Sequence, residues 1–462
     1  MSSAKKDFLL VLSSQVISMA VSIVRSLVLP YFLTITAFGY FQSYLLYISY
    51  APFFCLGYND GVYLRYGDKK YEDLPVQRIA APNLLFTLML IIFGLLINVV
   101  SFFVVHDSNI SFALLMSTFY MVFLGLNTLI LQIYQVTLQF KSYSIISILV
   151  RVLSLVCIVS LLLCGVLDYK YIVLVDLLTF SIITIYLVLA NRKLFIAKHV
   201  FSSFSFDEFF ESIRGGFPLM FANIMGMLIL GIGQFAIQIY GGIEQFAQYR
   251  FGVSISSFIL MAVSAASMVV YPMLKRMNSD HQRQKYGEFS ELLDKTVILI
   301  ILVYYMAVFL IKSLYIEYEG LIPYFGVLLC IVFFQSKIYI VQNSFYKALR
   351  LEKSLFVDNL ISLASSFILL IIFYSLFRTP SVVAIVSLGA ICIRYFITLH
   401  KLNPMMDYTN KPITVELLIL LIFIVTTLFV PFVPGMVINA LTLLIYIITR
   451  WNQLLNIIKV LK

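Results

Sequence analysis

An all-α polytopic membrane protein, built as two six-helix bundles followed by two further spans, is the fold class this sequence predicts, and three observations predict it. Of 462 residues, 62% are hydrophobic and only 12% are charged, where soluble domains carry roughly a quarter charged residues. The apolar residues gather into about fourteen runs, each long enough to cross hydrocarbon as a helix of about 20 residues. Short stretches of the first half recur in the second at a nearly constant offset.

Polar and Gly/Pro punctuation places the spans near 8–33, 39–64, 79–105, 110–138, 143–166 and 171–190, then, after a charged loop, near 216–240, 247–273, 296–316, 321–346, 355–377 and 381–399. A last pair follows at 413–430 and 436–449. Lys5 and Lys6 precede the first run, which continues to about Leu33 without a small-residue cleavage site and so reads as an uncleaved span. The expected organisation is a bundle over 1–200, a second over 201–405, and two added spans with a tail over 406–462, whose end, Asn452 to Lys462, is expected as an amphipathic helix on the membrane surface.

Charge sets the orientation. With the N-terminus inside, 24 basic residues fall in cytoplasmic segments and three, Lys170, Lys312 and Arg378, in outer loops, so both termini are expected in the cytoplasm. The net charge of +10 is then a topology signal facing anionic lipid, and nucleic acid is not an expected partner. Outer loops such as His106-Asp107-Ser108-Asn109 and Val433-Pro434-Gly435 are too short for an extracytoplasmic catalytic domain. The inner connections near 191–215 and 274–295 are too short for a nucleotide-binding domain, and GxxxxGK[ST] does not occur. The chain is expected to be a non-enzyme with no cofactor. The five cysteines, Cys55, Cys157, Cys164, Cys330 and Cys392, all lie in apolar runs and imply no disulfide framework.

The repeat is carried by Phe38-Gly39-Tyr40-Phe41 with Phe246-Ala247-Gln248-Tyr249 and Val62-Tyr63 with Val270-Tyr271, both at an offset of 208. The stretch Tyr186 to Arg192 matches Tyr395 to Lys401 at 209, and Leu138 matches Leu349 at 211. Six spans per copy is an even number. Both copies then enter the membrane from the same side and are expected to be related by a pseudo-two-fold axis along the membrane normal, an architecture used by transporters.

Five basic residues remain inside spans: Arg25, Arg151, Arg250, Lys337 and Arg394. A charge in hydrocarbon costs from about 2.5 kcal/mol upward, so each needs water, a partner or a function. Arg250 and Arg394 lie near span ends, where snorkelling competes with function. Arg151 and Lys337 lie about ten residues from Lys141 and Lys347, roughly 15 Å deep at 1.5 Å per residue. Arg25 shares a helical face with Ser14, Ser18 and Ser22, which predicts a wet cavity, although serines also serve as ordinary interhelical packing. Gln132, Gln135 and Gln139 repeat at three and four on another face, suited to sugar hydroxyls or to interhelical hydrogen bonds.

Acidic residues in or bordering spans are fewer: Asp60, Asp176, Asp358 and Glu416. The expected cavity is therefore cationic and favours a phosphorylated or carboxylated cargo, unless internal Arg–Asp pairing cancels the charge. Asp176 and Asp358 are the candidate ion-coupling sites. Tyr40, Tyr44, Tyr47 and Tyr50 could stack on sugar rings or simply pack. His106, His199, His281 and His400 show no metal-ligand spacing, so no metal is expected.

The run Leu56-Gly57-Tyr58-Asn59-Asp60-Gly61 followed by Arg65-Tyr66-Gly67, together with Arg25, Pro30 and Phe38-Gly39-Tyr40-Phe41 before it and Gly216-Phe217-Pro218-Leu219 after it, resembles bacterial polysaccharide flippases. These belong to the multidrug, oligosaccharidyl-lipid and polysaccharide (MOP) exporter superfamily, and the resemblance covers roughly the first 400 residues. It implies translocation of an undecaprenyl-pyrophosphate-linked oligosaccharide, a repeat unit of O-antigen, capsule or a similar polymer, across the bacterial plasma (inner) membrane. Membrane lipid, and polysaccharide polymerase and chain-length machinery, are then the implied partners. Arg25 and Arg250 match cavity arginines of the first and eighth spans of lipid II flippases. Gly231-Ile232-Gly233-Gln234 stands where many members carry an acidic–basic pair.

The expected mechanism places Arg25, Arg151, Arg250 and Lys337, with Arg394, Gln132 and Gln135 as further candidates, around a central cavity that opens alternately to either side. A cation-coupled multidrug exporter of the same fold, a polysaccharide polymerase or ligase, and a scaffold are the rival readings. The exporter needs cavity carboxylates, and the polymerase needs large outer loops.

Overall fold

Every span expected from hydropathy falls on helix in the structure, a computed structural model that describes residues 3–67, 69–196, 206–275, 277–408 and 414–461. Among those residues no β-strand occurs, and ten helices are long and apolar enough to cross a membrane unaided. The shorter apolar helices Ile300–Leu314 and Thr414–Phe429 add to them. The protein is an all-α polytopic membrane protein. Its chain divides into two compact units, residues 1–224 and 225–462.

The first unit runs α1 (Ser3–Phe32), α2 (Ile35–Tyr50), α3 (Tyr58–Arg65), α4 (Val76–Val104), α5 (Ser108–Val136), α6 (Phe140–Leu163) and α7 (Tyr169–Ala190), and ends within α8 (Phe206–Ala236). Short polar links are used as helix caps. Asp107 accepts from the backbone N–H groups of Asn109 and Ile110 at 2.7 and 3.2 Å, and Asp168 accepts from that of Lys170 at 2.9 Å. In hydrocarbon an uncapped N–H has no water to turn to, so each cap fixes where a span begins. The helix α5 is central, packing against α2, α4 and α7. Gly125 permits the α4 approach: a Cβ there would lie 2.4 Å from Leu90 Cδ1. Phe86, Leu90, Leu129, Ile130 and Ile133 fill the seam.

The second span departs from the continuous helix its hydropathy predicts. After α2 the backbone tightens into a 3₁₀ turn over Ala51–Cys55 with Pro52 in its first turn. Leu56 and Gly57 then adopt φ of +48° and +78°, and α3 starts afresh. Pro52 has no N–H to continue the ladder, and Gly57 takes a left-handed conformation without strain.

The second unit continues from α8 through a π-helical segment (Ile237–Gly241), α9 (Ile243–Lys275), α10 (Ser279–Asp294), α11 (Thr296–Leu314) and α12 (Ile322–Lys337). A second π segment (Ile338–Gln342), α13 (Asn343–Ala348), α14 (Glu352–Phe377), α15 (Pro380–Met405), α16 (Thr414–Phe429) and α17 (Phe432–Leu461) complete it. The buried hub is α12, which packs against α9, α11, α15 and α16. The two added spans are tied to each other by Tyr446 donating to buried Glu416 at 2.9 Å and Asn439 donating to Thr426 at 2.7 Å, and they rest on this core through α16 against α12 and through Asn439 donating to Tyr305 on α11 at 2.7 Å.

The connection near 274–295 is largely the amphipathic helix α10, capped by Asn278. Its apolar positions Tyr286 and Leu293 enter a cluster with Phe345, Tyr346 and Leu402. In the charged loop near 191–215, residues 197–205, including His199, lie outside the described residues. The chain is helical to Leu461, and Lys462 lies outside the described residues.

Candidate functional site

Inside the first unit α1, α5, α6 and α7 enclose a cavity of about 350 Å³. Helical periodicity builds its walls. Tyr120, Leu124, Asn127 and Leu131 recur on one face of α5, and Ser147, Arg151 and Ser154 on one face of α6. Ser22 and Arg25 come from α1, and Asp176 and Phe180 from α7. Tyr120 stacks on Phe180 with ring centroids 4.2 Å apart.

Asp176 is the centre of the polar wall. Its Oδ1 lies 3.1 Å from Arg25 Nη1 and accepts from Ser154 Oγ at 2.6 Å, and its Oδ2 accepts from the Tyr44 hydroxyl at 3.2 Å. The carboxylate is 7% exposed and the arginine side chain 26%. Arg25 also rests over the Phe41 ring, 5.6 Å from its centroid. Arg151 differs. It lines the same cavity, is exposed, and makes no hydrogen bond or ion pair among the described residues. The charged lining is thus two guanidinium groups and one carboxylate, which Arg25 alone engages, and it carries a net positive charge. Such a surface can hold an anion, because a planar fork of N–H donors matches phosphate or carboxylate oxygens.

The other residues picked from sequence lie elsewhere. Of the serine stripe only Ser22 lines the cavity. Ser14 and Ser18 are buried, and the Ser14 hydroxyl turns back to the carbonyl of Val11 at 2.7 Å. Gln132 Nε2 donates to Asp60 Oδ1 at 3.2 Å, away from the cavity, and Gln135 is half-buried and not part of its wall. Gln139 falls beyond the end of α5, at the N-cap position of α6, so the glutamine face stops one member early. Tyr44, a candidate for sugar stacking, is fully buried against Asp176.

In the second unit the basic residues are held in separate pairs. Arg250 Nη1 donates to Gln234 Oε1 at 2.7 Å, and Arg394 Nη2 donates to Asn343 Oδ1 at 3.0 Å. Lys337, expected as a cavity cation, is ion-paired with Asp294 at the end of α10, and its Nζ lies 5.5 and 5.3 Å from the ring centroids of Phe333 and Tyr395. A side chain only 4% exposed needs that carboxylate, since an unpaired buried charge is costly. Asp358, a candidate ion-coupling site, is likewise occupied: Tyr346 and Thr398 donate to it at 2.6 and 2.9 Å, and Lys401 forms an ion pair with it. Sequence reasoning missed Ser154, Tyr120 and Asn127 as cavity residues. Their i, i+3/i+4 register with Arg151 on α6, and with one another on α5, is the signal that could have found them.

The sequence profile of a family described as polysaccharide biosynthesis protein matches residues 4–278. A search by sequence among curated proteins returns no match. Among solved structures the chain is similar to the lipid II flippase MurJ in its inward closed conformation, at 14% identity and a TM-score of 0.67, covering 97% of this chain and 99% of that one. It is also similar to a MOP superfamily transporter from Pyrococcus furiosus, at 12% identity and a TM-score of 0.52, over 87% of this chain and 96% of that one. A multidrug resistance MATE family transporter of the same superfamily gives 12% identity and a TM-score of 0.53, over 88% and 97%. The chain belongs to the polysaccharide biosynthesis protein family and has the fold of the MOP superfamily transporters.

Proposed function

We propose that the protein flips an undecaprenyl-pyrophosphate-linked oligosaccharide, a repeat unit of O-antigen, capsule or a similar polymer, from the inner to the outer leaflet of a bacterial plasma membrane by alternating access. The carrying observation is the cavity lined by Arg25, Arg151 and one carboxylate, Asp176, which pairs with Arg25 and leaves Arg151 unpaired among the described residues. These two arginines hold the phosphates, while Ser22, Ser147, Asn127 and Thr128 offer partners to hydroxyls. Sugars cannot cross hydrocarbon unaided because each desolvated hydroxyl lacks a partner, and a polar cavity supplies one. No bond is made or broken. With the cytoplasm negative, outward movement of an anionic headgroup is favourable by about 2.3 kcal/mol per charge per 100 mV.

The family match supports polysaccharide assembly as the setting, and the likeness to MurJ supports the fold. A flipped repeat unit is the substrate for polymerisation, which makes polysaccharide polymerase and chain-length machinery the partners of this reading. An exporter of cationic drugs fits less well, because Asp176 is already engaged by Arg25, Tyr44 and Ser154.

Complementation of a strain lacking the transporter tests the reading. Arg25→Ala and Arg151→Ala, at verified membrane levels, are expected to abolish surface polymer. Full activity of both variants would contradict it.

A further inference from the structure

The ion pair in the cavity wall, Arg25 with Asp176, has halves that are held very differently. The carboxylate is fixed without the arginine. Ser154 on α6 donates to its Oδ1 at 2.6 Å and Tyr44 on α2 donates to its Oδ2 at 3.2 Å, so each oxygen has a neutral donor of its own. Both donors are buried, and the Tyr44 ring packs edge-on against Tyr120 with 6.0 Å between centroids. In a close-packed wall neither donor is free to turn away.

The guanidinium is held by far less. Only Nη1 reaches Asp176, at 3.1 Å, and the contact is single where an arginine fork can make two. The Phe41 ring supports the group from 5.6 Å, a contact with no ionic partner in it. The arginine side chain is 26% exposed and lines the cavity beside Arg151. Withdrawing Arg25 therefore leaves no bare oxygen on Asp176. The Lys337–Asp294 pair of the second unit is built otherwise: among the described residues Lys337 is the only hydrogen-bond partner of the Asp294 carboxylate, and its own side chain is 4% exposed. Parting that pair strands a buried charge. The cavity pair parts without that cost when another anion takes the place of the carboxylate, because an arginine at this depth needs an anion but not a particular one.

We propose that Asp176 is a displaceable counter-ion: it neutralises Arg25 between cargoes, yields the guanidinium to a phosphate of the cargo, and recaptures it as the cargo leaves. Asp176 is then a positioning residue that acts through Arg25, and its competition with the phosphate keeps the cargo from binding too tightly to be let go. Arg151, which makes no ion pair among the described residues, offers the phosphates a second donor that needs no exchange. The inference rests on the proposed function, which gives the cavity a phosphorylated cargo, and adds how that cargo is released.

Binding of undecaprenyl pyrophosphate to the full-length protein in lipid nanodiscs, measured beside surface-polymer output in cells at matched membrane levels, tests the counter-ion. Asp176→Asn keeps the shape and loses the charge. It is expected to bind at least about threefold more tightly while polymer output falls at least about threefold. A merely structural Asp176 would give weaker binding and lower output together. Asp176→Ser also removes the charge and carries the same expectation should the Asn variant not fold, and Asp176→Glu is expected to return both readings toward wild type. In an Arg25→Gln background the gain from Asp176→Asn is expected to vanish, because the competition is for that guanidinium. Unchanged or weaker binding in the charge-free variants, undiminished output at tighter binding, or an equal gain without Arg25 would overturn the proposal. Wild-type protein that does not bind undecaprenyl pyrophosphate would overturn the proposed function with it, whereas wild-type binding with no gain in the variants removes the counter-ion alone.

Discussion

A buried ammonium that has a carboxylate and a guanidinium that has none respond oppositely to removal. Lys337→Met leaves Asp294 largely buried and uncompensated, a loss of about 3 kcal/mol that lowers the thermal midpoint of the purified protein. The double variant Lys337→Met, Asp294→Leu is expected to recover most of it, because an apolar pair of similar volume needs no partner. If the double variant is no more stable than the single, the ion pair is not the cause. Arg151→Ala, by contrast, breaks no hydrogen bond or ion pair among the described residues, so its thermal midpoint is expected to stay at or above wild type while transport is lost. Ser154→Ala removes one donor from Asp176 and is expected to cost about 1 kcal/mol. The depth of these residues was legible in the sequence, since position within an apolar run measures it. Their partners were not. Asp176 lies 151 residues from Arg25 and Asp294 lies 43 from Lys337, and only packing brings each pair together.

At the scale of elements, continuous hydropathy concealed a break and a helix. Pro52 and Gly57 interrupt the second span, yet the run between 39 and 64 remains apolar enough to read as one helix. The helix α10 was hidden by its polarity, although Tyr286 and Leu293 stand seven residues apart on one face. Tyr286 donates to Asn403 at 2.8 Å, and burial raises its pKa, so the hydroxyl keeps its proton through ordinary alkaline conditions. Asn278→Ala removes the α10 cap and is expected to cost about 1 kcal/mol, read as a lower thermal midpoint. Gly125→Val is expected to cost about 1–3 kcal/mol by forcing Leu90 and Phe86 off α5. A variant as stable as wild type would show that the α4–α5 contact is looser than its geometry.

For the whole molecule, fold class followed from composition, because hydrocarbon admits few backbone solutions and a run of twenty apolar residues selects the helix. The internal repeat has a local counterpart in structure. Phe38 and Phe246 each stand three residues after the first residue of their helices, α2 and α9, and both are fully buried. Sidedness rests on the placement of basic residues and is open to direct test: tags at either terminus are expected to be cut by protease only from the cytoplasmic face. Cleavage of both from the outer face would invert the proposed direction of transport. The central claim is that Arg25 and Arg151 hold a phosphorylated headgroup, and equilibrium binding of an isoprenyl-pyrophosphate-linked sugar to the purified protein tests it most directly. Arg151→Gln is expected to weaken binding at least about tenfold, roughly 1.4 kcal/mol, with Arg151→Lys recovering part of it. Equal affinity in wild type and Arg151→Gln would contradict the claim.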